Sequence, residues 1–253
     1  VARPAALRGV DLDVHSGELL MLVGPSGCGK TTLISVIAGI LDPDEGSVQV
    51  LGQDMRTTRG SARTRFRGTN VGFVFQQFNL LPALSALENV AVPLLILGVP
   101  RGEAHARAQT MLERVGLGGR SRSLPAQLSG GQQQRVFLAR ALAQEADLYL
   151  MDEPLAGVDA ATEQQILKLL RKLKAEGKTI VVVHHDLQTI RSYFDWVVML
   201  NLRAVTSGAT SEVFTAENLQ KTYGGRLTLL DQVAEAVRTA HPRHEQDSSE
   251  VIK

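Results

Sequence analysis

The sequence predicts an α/β fold built on a mostly parallel sheet. Three observations carry this expectation. Short continuous apolar runs rich in β-branched residues alternate with segments whose apolar residues recur at helical spacing. A glycine-rich turn separates one such run from one such helical segment. The composition is that of a globular chain: 44% hydrophobic and 21% charged residues over 253 positions exclude general disorder.

Taken in order, the runs at 19–23 (LLMLV), 71–75 (VGFVF), 148–151 (LYLM), 179–183 (TIVVV) and 196–200 (WVVML) read as strands buried on both faces. Between them, 33–41 (LISVIAGIL) reads as an apolar helix. Ala108, Met111, Leu112 and Val115 form one helical face that stops at Gly116. Ile166, Leu169, Leu170 and Leu173 form another, which Gly177 ends before the next strand. Alternation of this kind implies right-handed crossovers onto a parallel sheet. Residues 79–128 break the alternation and read as an inserted helical subdomain. The expected division is 1–78 and 129–225 for the two parts of the core, 79–128 for the insertion, and 226–253 for a C-terminal helix (Leu227, Leu230, Val233, Val237) with a frayed polar tail from His241.

Several function classes drop out on composition. A net charge of +1 is no footprint for bulk nucleic-acid binding, and 7 Phe, 3 Tyr and 1 Trp are too few for a stacking platform. One cysteine can make neither an internal disulfide nor a Cys-based zinc site, which fits a reducing compartment. The longest apolar stretch, 89–100, is too short to span a bilayer and contains Pro93. No signal peptide opens the chain.

The turn after the first strand reads GPSGCGKTT: Gly24, Pro25, Ser26, Gly27, Cys28, Gly29, Lys30, Thr31 and Thr32. Its pattern, G-x-x-x-x-G-K-[ST], lies between a strand and a helix, the context a phosphate-binding loop requires. Glycines let backbone N–H groups wrap phosphates, and the helix N-terminus adds partial positive charge. Lys30 would supply a full charge to the β- and γ-phosphates, and Thr31 a hydroxyl to Mg²⁺. Cys28 reads as a small tolerated residue. The loop alone says only nucleoside triphosphate.

The run at 148–151 continues into Asp152, Glu153 and Pro154. Asp152 is placed to hold Mg²⁺, and Glu153 to polarise an attacking water as general base. Residues 128–135 read LSGGQQQR, so Ser129, Gly130, Gly131 and Gln132 open a second helix suited to phosphate. One chain with a complete phosphate loop has no use for this second tip; it makes sense if it serves the nucleotide of another subunit.

The three motifs, GPSGCGKTT, LSGGQ and LYLMDEP, occur in this order, and over nearly its whole length the chain resembles the nucleotide-binding subunit of an ATP-binding cassette (ABC) transporter. The resemblance implies an α/β P-loop NTPase core with an inserted helical subdomain and a small antiparallel β subdomain, here truncated. It implies that ATP and Mg²⁺ are bound and ATP hydrolysed. Gln76 then matches the glutamine that reaches Mg²⁺ and the attacking water, Asp159 the aspartate that touches the partner subunit, and His185 the histidine that contacts the γ-phosphate. His184 stands where the family usually has Ser or Thr and receives no role. Two such subunits meet head to tail, most simply as a homodimer, with each ATP between the loop of one and the Ser129 tip of the other. A separate integral permease is the other partner, docked on the region 76–128, which places the chain at the cytoplasmic face of the inner membrane.

Two departures qualify the resemblance. No aromatic precedes Phe66, although the family places one upstream to stack on adenine; truncation before Val1 is the expected reason, with Arg3 as a substitute stacking group. The first half, to about residue 128, resembles the lipoprotein, macrolide and haem export branch, and the rest the manganese, zinc and iron uptake branch, so both cargo classes stand. The alternative is a soluble ABC-type ATPase for cluster assembly or chromosome organisation. Only 99 positions separate Lys30 from Ser129, too few for the long coiled coil of the chromosome-organising members.

Overall fold

The computed structural model describes residues 6–74, 80–187 and 190–224. The chain runs through β1 (Leu19–Val23), α1 (Lys30–Ile37), β2 (Gln49–Val50), β3 (Gln53–Asp54), α2 (Gly60–Asn70), β4 (Val71–Val74), α3 (Ala86–Ile96), α4 (Arg101–Arg114), α5 (Gly130–Leu142), β5 (Leu148–Asp152), α6 (Ala160–Ala175), β6 (Thr179–Val183), α7 (Ile190–Tyr193), β7 (Trp196–Asn201), β8 (Arg203–Ala209), α8 (Thr210–Val213) and α9 (Ala216–Tyr223).

Six strands form one sheet in the order β4-β5-β6-β1-β7-β8. Every neighbouring pair is parallel except β7 and β8. β1 is central and buried along its whole length, and its alternate side chains serve two layers. Leu19, Met21 and Val23 join a core with residues of α3, α4, α5 and α6. Leu20 and Leu22 join a second core with Leu33 and Ile34 of α1. Each such side chain stabilises the fold by about 1.5–3 kcal/mol through burial, which is why these strands show unbroken apolar runs rather than alternation.

The five expected strands are present as β1, β4, β5, β6 and β7. Phe75 lies outside the described residues. The sequence reading missed β8, whose RAVTSGA is mostly half-exposed and carries no apolar pattern. It pairs with β7 across a turn at Leu202, which takes a left-handed φ of 60°. The helix expected over 33–41 begins earlier, at Lys30, and stops at Ile37. Gly39 adopts φ 64° and its N–H donates to the Val36 carbonyl, a left-handed stop that leaves Ile40 and Leu41 exposed. The antiparallel β portion is one short hairpin, β2 with β3. Its two-residue turn, Leu51–Gly52, has positive φ at both positions, as a type I′ turn demands. No strand precedes β1 among the described residues.

The segment before α5 is helical, as expected. Ser85 and Glu88 cap α3 reciprocally. Asn89, fully buried, donates to the carbonyls of Leu81, Leu84 and Ser85 and accepts from Leu81 N–H, which pins the chain entering α3. Val90, Ala91 and Leu94 of α3 and Ala108 and Leu112 of α4 share one continuous core with α5 and the sheet. Among the described residues no helix is long and apolar enough to cross a membrane. The helix expected around 227–237, the tail and Arg3 lie outside the described residues.

The sheet leaves little slack where β4 meets β5. A Cβ on Gly72 would fall 2.4 Å from the buried ring of Tyr149 and 3.2 Å from the Ala141 carbonyl. Gly72→Ala is therefore expected to destabilise the chain by about 1–3 kcal/mol through overpacking. Urea unfolding measures this, and an unchanged midpoint would mean that the ring yields freely.

Candidate active site

The loop between β1 and α1 is held in shape by three left-handed glycines. Gly24, Gly27 and Gly29 have φ of 156°, 79° and 100°. At Gly24 a Cβ would meet the Leu200 carbonyl at 2.0 Å, and at Gly29 the Ala6 carbonyl at 2.6 Å. Both positions therefore exclude any side chain. The loop rests on the β7–β8 turn, where Leu202 N–H donates to the Cys28 carbonyl at 3.2 Å. The Cys28 thiol is turned inward and buried in the α1 core, so the backbone is what this residue can offer a ligand. Ser26 and Gly27 are exposed. Gly29 is the N-cap of α1, with no side-chain cap and no acid in the first turn, which leaves the helix N–H groups to an anion. Lys30 arches back over the loop and its Nζ donates to the carbonyls of Gly24 (2.7 Å) and Pro25 (3.0 Å).

Thr31, the next residue, donates from Oγ1 to Oδ2 of Asp152 at 2.7 Å. Asp152 is at the buried end of β5, and β6 lies between β5 and β1 in the sheet. Burial raises its pKa and the Thr31 bond opposes this; the neighbouring Glu153 adds to the rise, and Lys30 opposes it. Glu153 has a left-handed φ of 50°, a conformation that costs a non-glycine residue about 1–3 kcal/mol. Its N–H donates to the Val183 carbonyl at 2.9 Å, which holds it just past the end of β6. Its Oε1 stands 3.7 Å from Nδ1 of His185, which is mostly exposed. Thr31, Asp152, Glu153 and His185, spread over more than 150 positions, thus meet at the C-terminal ends of the parallel strands. Gln76 lies outside the described residues.

The second tip is built separately. Ser129 caps α5: Gln132 N–H donates to its Oγ at 3.3 Å, and Ser129 N–H donates to Oε1 of Gln132 at 3.0 Å. Ser129 and Gly130 are exposed. A Cβ at Gly131 would lie 3.3 Å from Oγ1 of Thr162 and 3.6 Å from Oδ2 of Asp159. Asp159 caps α6, accepting from Thr162 N–H at 2.8 Å and from its hydroxyl at 3.0 Å, and these bonds hold its carboxyl below the usual range. The tip of α5 and Asp159 therefore form one surface.

One residue that the motif reading left without a role joins the two regions. Gln134 is buried on α5, and its Nε2 donates to the carbonyl of Pro154, the residue after Glu153. Its place in LSGGQQQR gave no hint of this, because the spacing to Pro154 exists only after folding. The support of the loop by the β7–β8 turn was missed for the same reason.

The ABC transporter family model matches residues 7–156. The manganese transport system ATP-binding protein MntB of Bacillus subtilis is 46% identical over 230 residues, covering 88% of each chain. The zinc transport system ATP-binding protein TroB of Treponema pallidum is 42% identical over 87% of this chain and 81% of its own. The lipoprotein-releasing system ATP-binding protein LolD 2 of Caulobacter vibrioides is 49% identical over 77% and 85%. Among solved structures, the ATP-binding cassette MJ0796, a dimer in a post-hydrolysis state with ADP and Pi, superposes with a TM-score of 0.75 at 38% identity, covering 81% of this chain and 90% of that one. With its glycine loop, its Thr31–Asp152 bond and these relatives in agreement, the chain belongs to the ABC transporter family, as one of its ATP-binding subunits.

Proposed function

We propose that the chain binds ATP at residues 24–32 and hydrolyses it to ADP and phosphate, at a site completed by the Ser129–Gln132 tip of a second copy. The observation that carries this reading is the convergence of Lys30, Thr31, Asp152, Glu153 and His185 at one edge of the sheet. Lys30 would exchange its loop carbonyls for the β- and γ-phosphates. The Thr31 hydroxyl and Asp152 carboxylate already converge as two oxygen donors, which suits Mg²⁺. That ion, when bound, neutralises phosphate charge. Glu153 would accept a proton from the attacking water, while His185, within reach of Glu153, would contact the γ-phosphate and Gln76 the ion and the water. The uncharged, exposed tip of α5, with Asp159 beside it, offers N–H donors to the neighbour's nucleotide. The dimeric state of MJ0796 supports this arrangement.

Glu153→Gln is expected to keep ATP binding while turnover falls by about 10²–10⁴, and to accumulate an ATP-bound dimer. Size-exclusion chromatography with ATP reads the second effect; a variant that stays monomeric contradicts the shared site.

The work is transport through a separate permease. A groove of about 910 Å³ between α2 and the end of α3, with Ile96 77% exposed, Leu97 and Phe73 beside it and Arg65 at its rim, supports docking there. Divalent-metal uptake is the cargo we favour, because MntB and TroB align over 230 and 232 residues. Lipoprotein, macrolide or haem export is the second reading, favoured by the identity to LolD 2. Ile96→Glu is expected to leave the ATPase rate of the isolated chain unchanged and to abolish recovery of the chain with membranes and accumulation of manganese by cells. Normal membrane recovery would exclude this groove. Loss of membrane recovery with normal metal levels would move the cargo to the export class.

A further inference from the structure

Behind His185 lies a cluster for which neither the sequence motifs nor the proposed reaction has a use. Glu163 in the first turn of α6, His184 just after β6, and Asp186 each present a ligand atom, and these atoms all lie within 4.8 Å of one another. His184 is only 4% exposed, yet among the described residues neither Nδ1 nor Nε2 has a hydrogen-bond partner. A buried imidazole with both nitrogens unmatched is unfavourable unless something else completes it. Glu163 takes no part in capping α6, which Asp159 and Thr162 accomplish. Glu163 and Asp186 are half-buried, so the cluster is open on one side.

We propose that Glu163, His184 and Asp186 bind one divalent transition-metal ion, at a site separate from that of the nucleotide's ion. The donor set decides the class. One imidazole with two carboxylates suits a first-row ion such as Mn²⁺, Fe²⁺ or Zn²⁺, whereas an all-oxygen set would suit Mg²⁺. Metal–ligand bonds of about 2.0–2.2 Å place three ligand atoms roughly 3.0–3.6 Å apart around an ion, so the cluster would close on an ion by side-chain movements of about an ångström. A bound ion would fasten α6 to the loop that carries His185, whose ring centroid is 5.1 Å from that of His184. The site stands or falls independently of the transported cargo.

The test is calorimetric titration of the nucleotide-free chain with Mn²⁺ in excess Mg²⁺, which masks the Thr31–Asp152 pair. One Mn²⁺ per chain is expected, with affinity reduced about tenfold or more in both Glu163→Gln and His184→Ala. Glu163→Gln is isosteric and half-buried, so it reports even if His184→Ala does not fold. Failure of the wild-type chain to bind Mn²⁺ under these conditions, or equal affinity in wild type and Glu163→Gln, overturns the proposal.

Discussion

The hydrogen bond from Thr31 to Asp152 is the contact on which the rest of the site depends. It joins the first turn of α1 to the end of β5, two strands away from the strand that feeds the loop. Here β6 inserts between β5 and β1 and all three strands point the same way, which brings the two side chains together. Parallel order puts their C-terminal ends on one edge, where helix N-termini also gather. Glu153 and His185 follow from the same geometry, since one leaves the end of β5 and the other the end of β6. The left-handed turn at Glu153 is sustained by its bond to the Val183 carbonyl, one more pairing past the end of the β5–β6 ladder.

The α5 tip obeys a different constraint. It stands on α6 through Gly131, Thr162 and Asp159, and it is tied to the turn after Glu153 through the buried amide of Gln134. The helical layer and the sheet share one apolar core, in which Leu94, Leu112 and Phe137 pack with Tyr149 and Met151. The α5 tip and the turn bearing Glu153 are therefore mechanically connected within one protomer. That link suits the proposed shared site, in which the two regions would serve different nucleotides.

The loop itself shows how local chemistry and long-range packing divide the labour. Glycine at positions 24, 27 and 29 provides the left-handed backbone that a phosphate cradle needs. Yet Gly24 is also required because the Leu200 carbonyl lies behind it, and Gly29 because the Ala6 carbonyl does. Each of these glycines answers to two demands, one from the turn and one from a neighbour distant in sequence.

By itself the sequence determined the five parallel strands, the apolar faces of α4 and α6, the glycine-rich loop and the carboxylates at the end of β5, because hydrophobic period, glycine placement and motif spacing are properties of neighbours along the chain. β8 escaped because half-exposed edge residues carry no apolar pattern, and α1 was drawn too long because Gly39 stops a helix whose apolar run continues through Leu41. Folding alone decided the strand order, the inward turn of the Cys28 thiol, the grip of Gln134 on Pro154 and the gathering of Glu163 with His184 and Asp186. These depend on which surfaces exclude water together across the sheet, and that choice is made between segments far apart in the chain, where no local spacing records it.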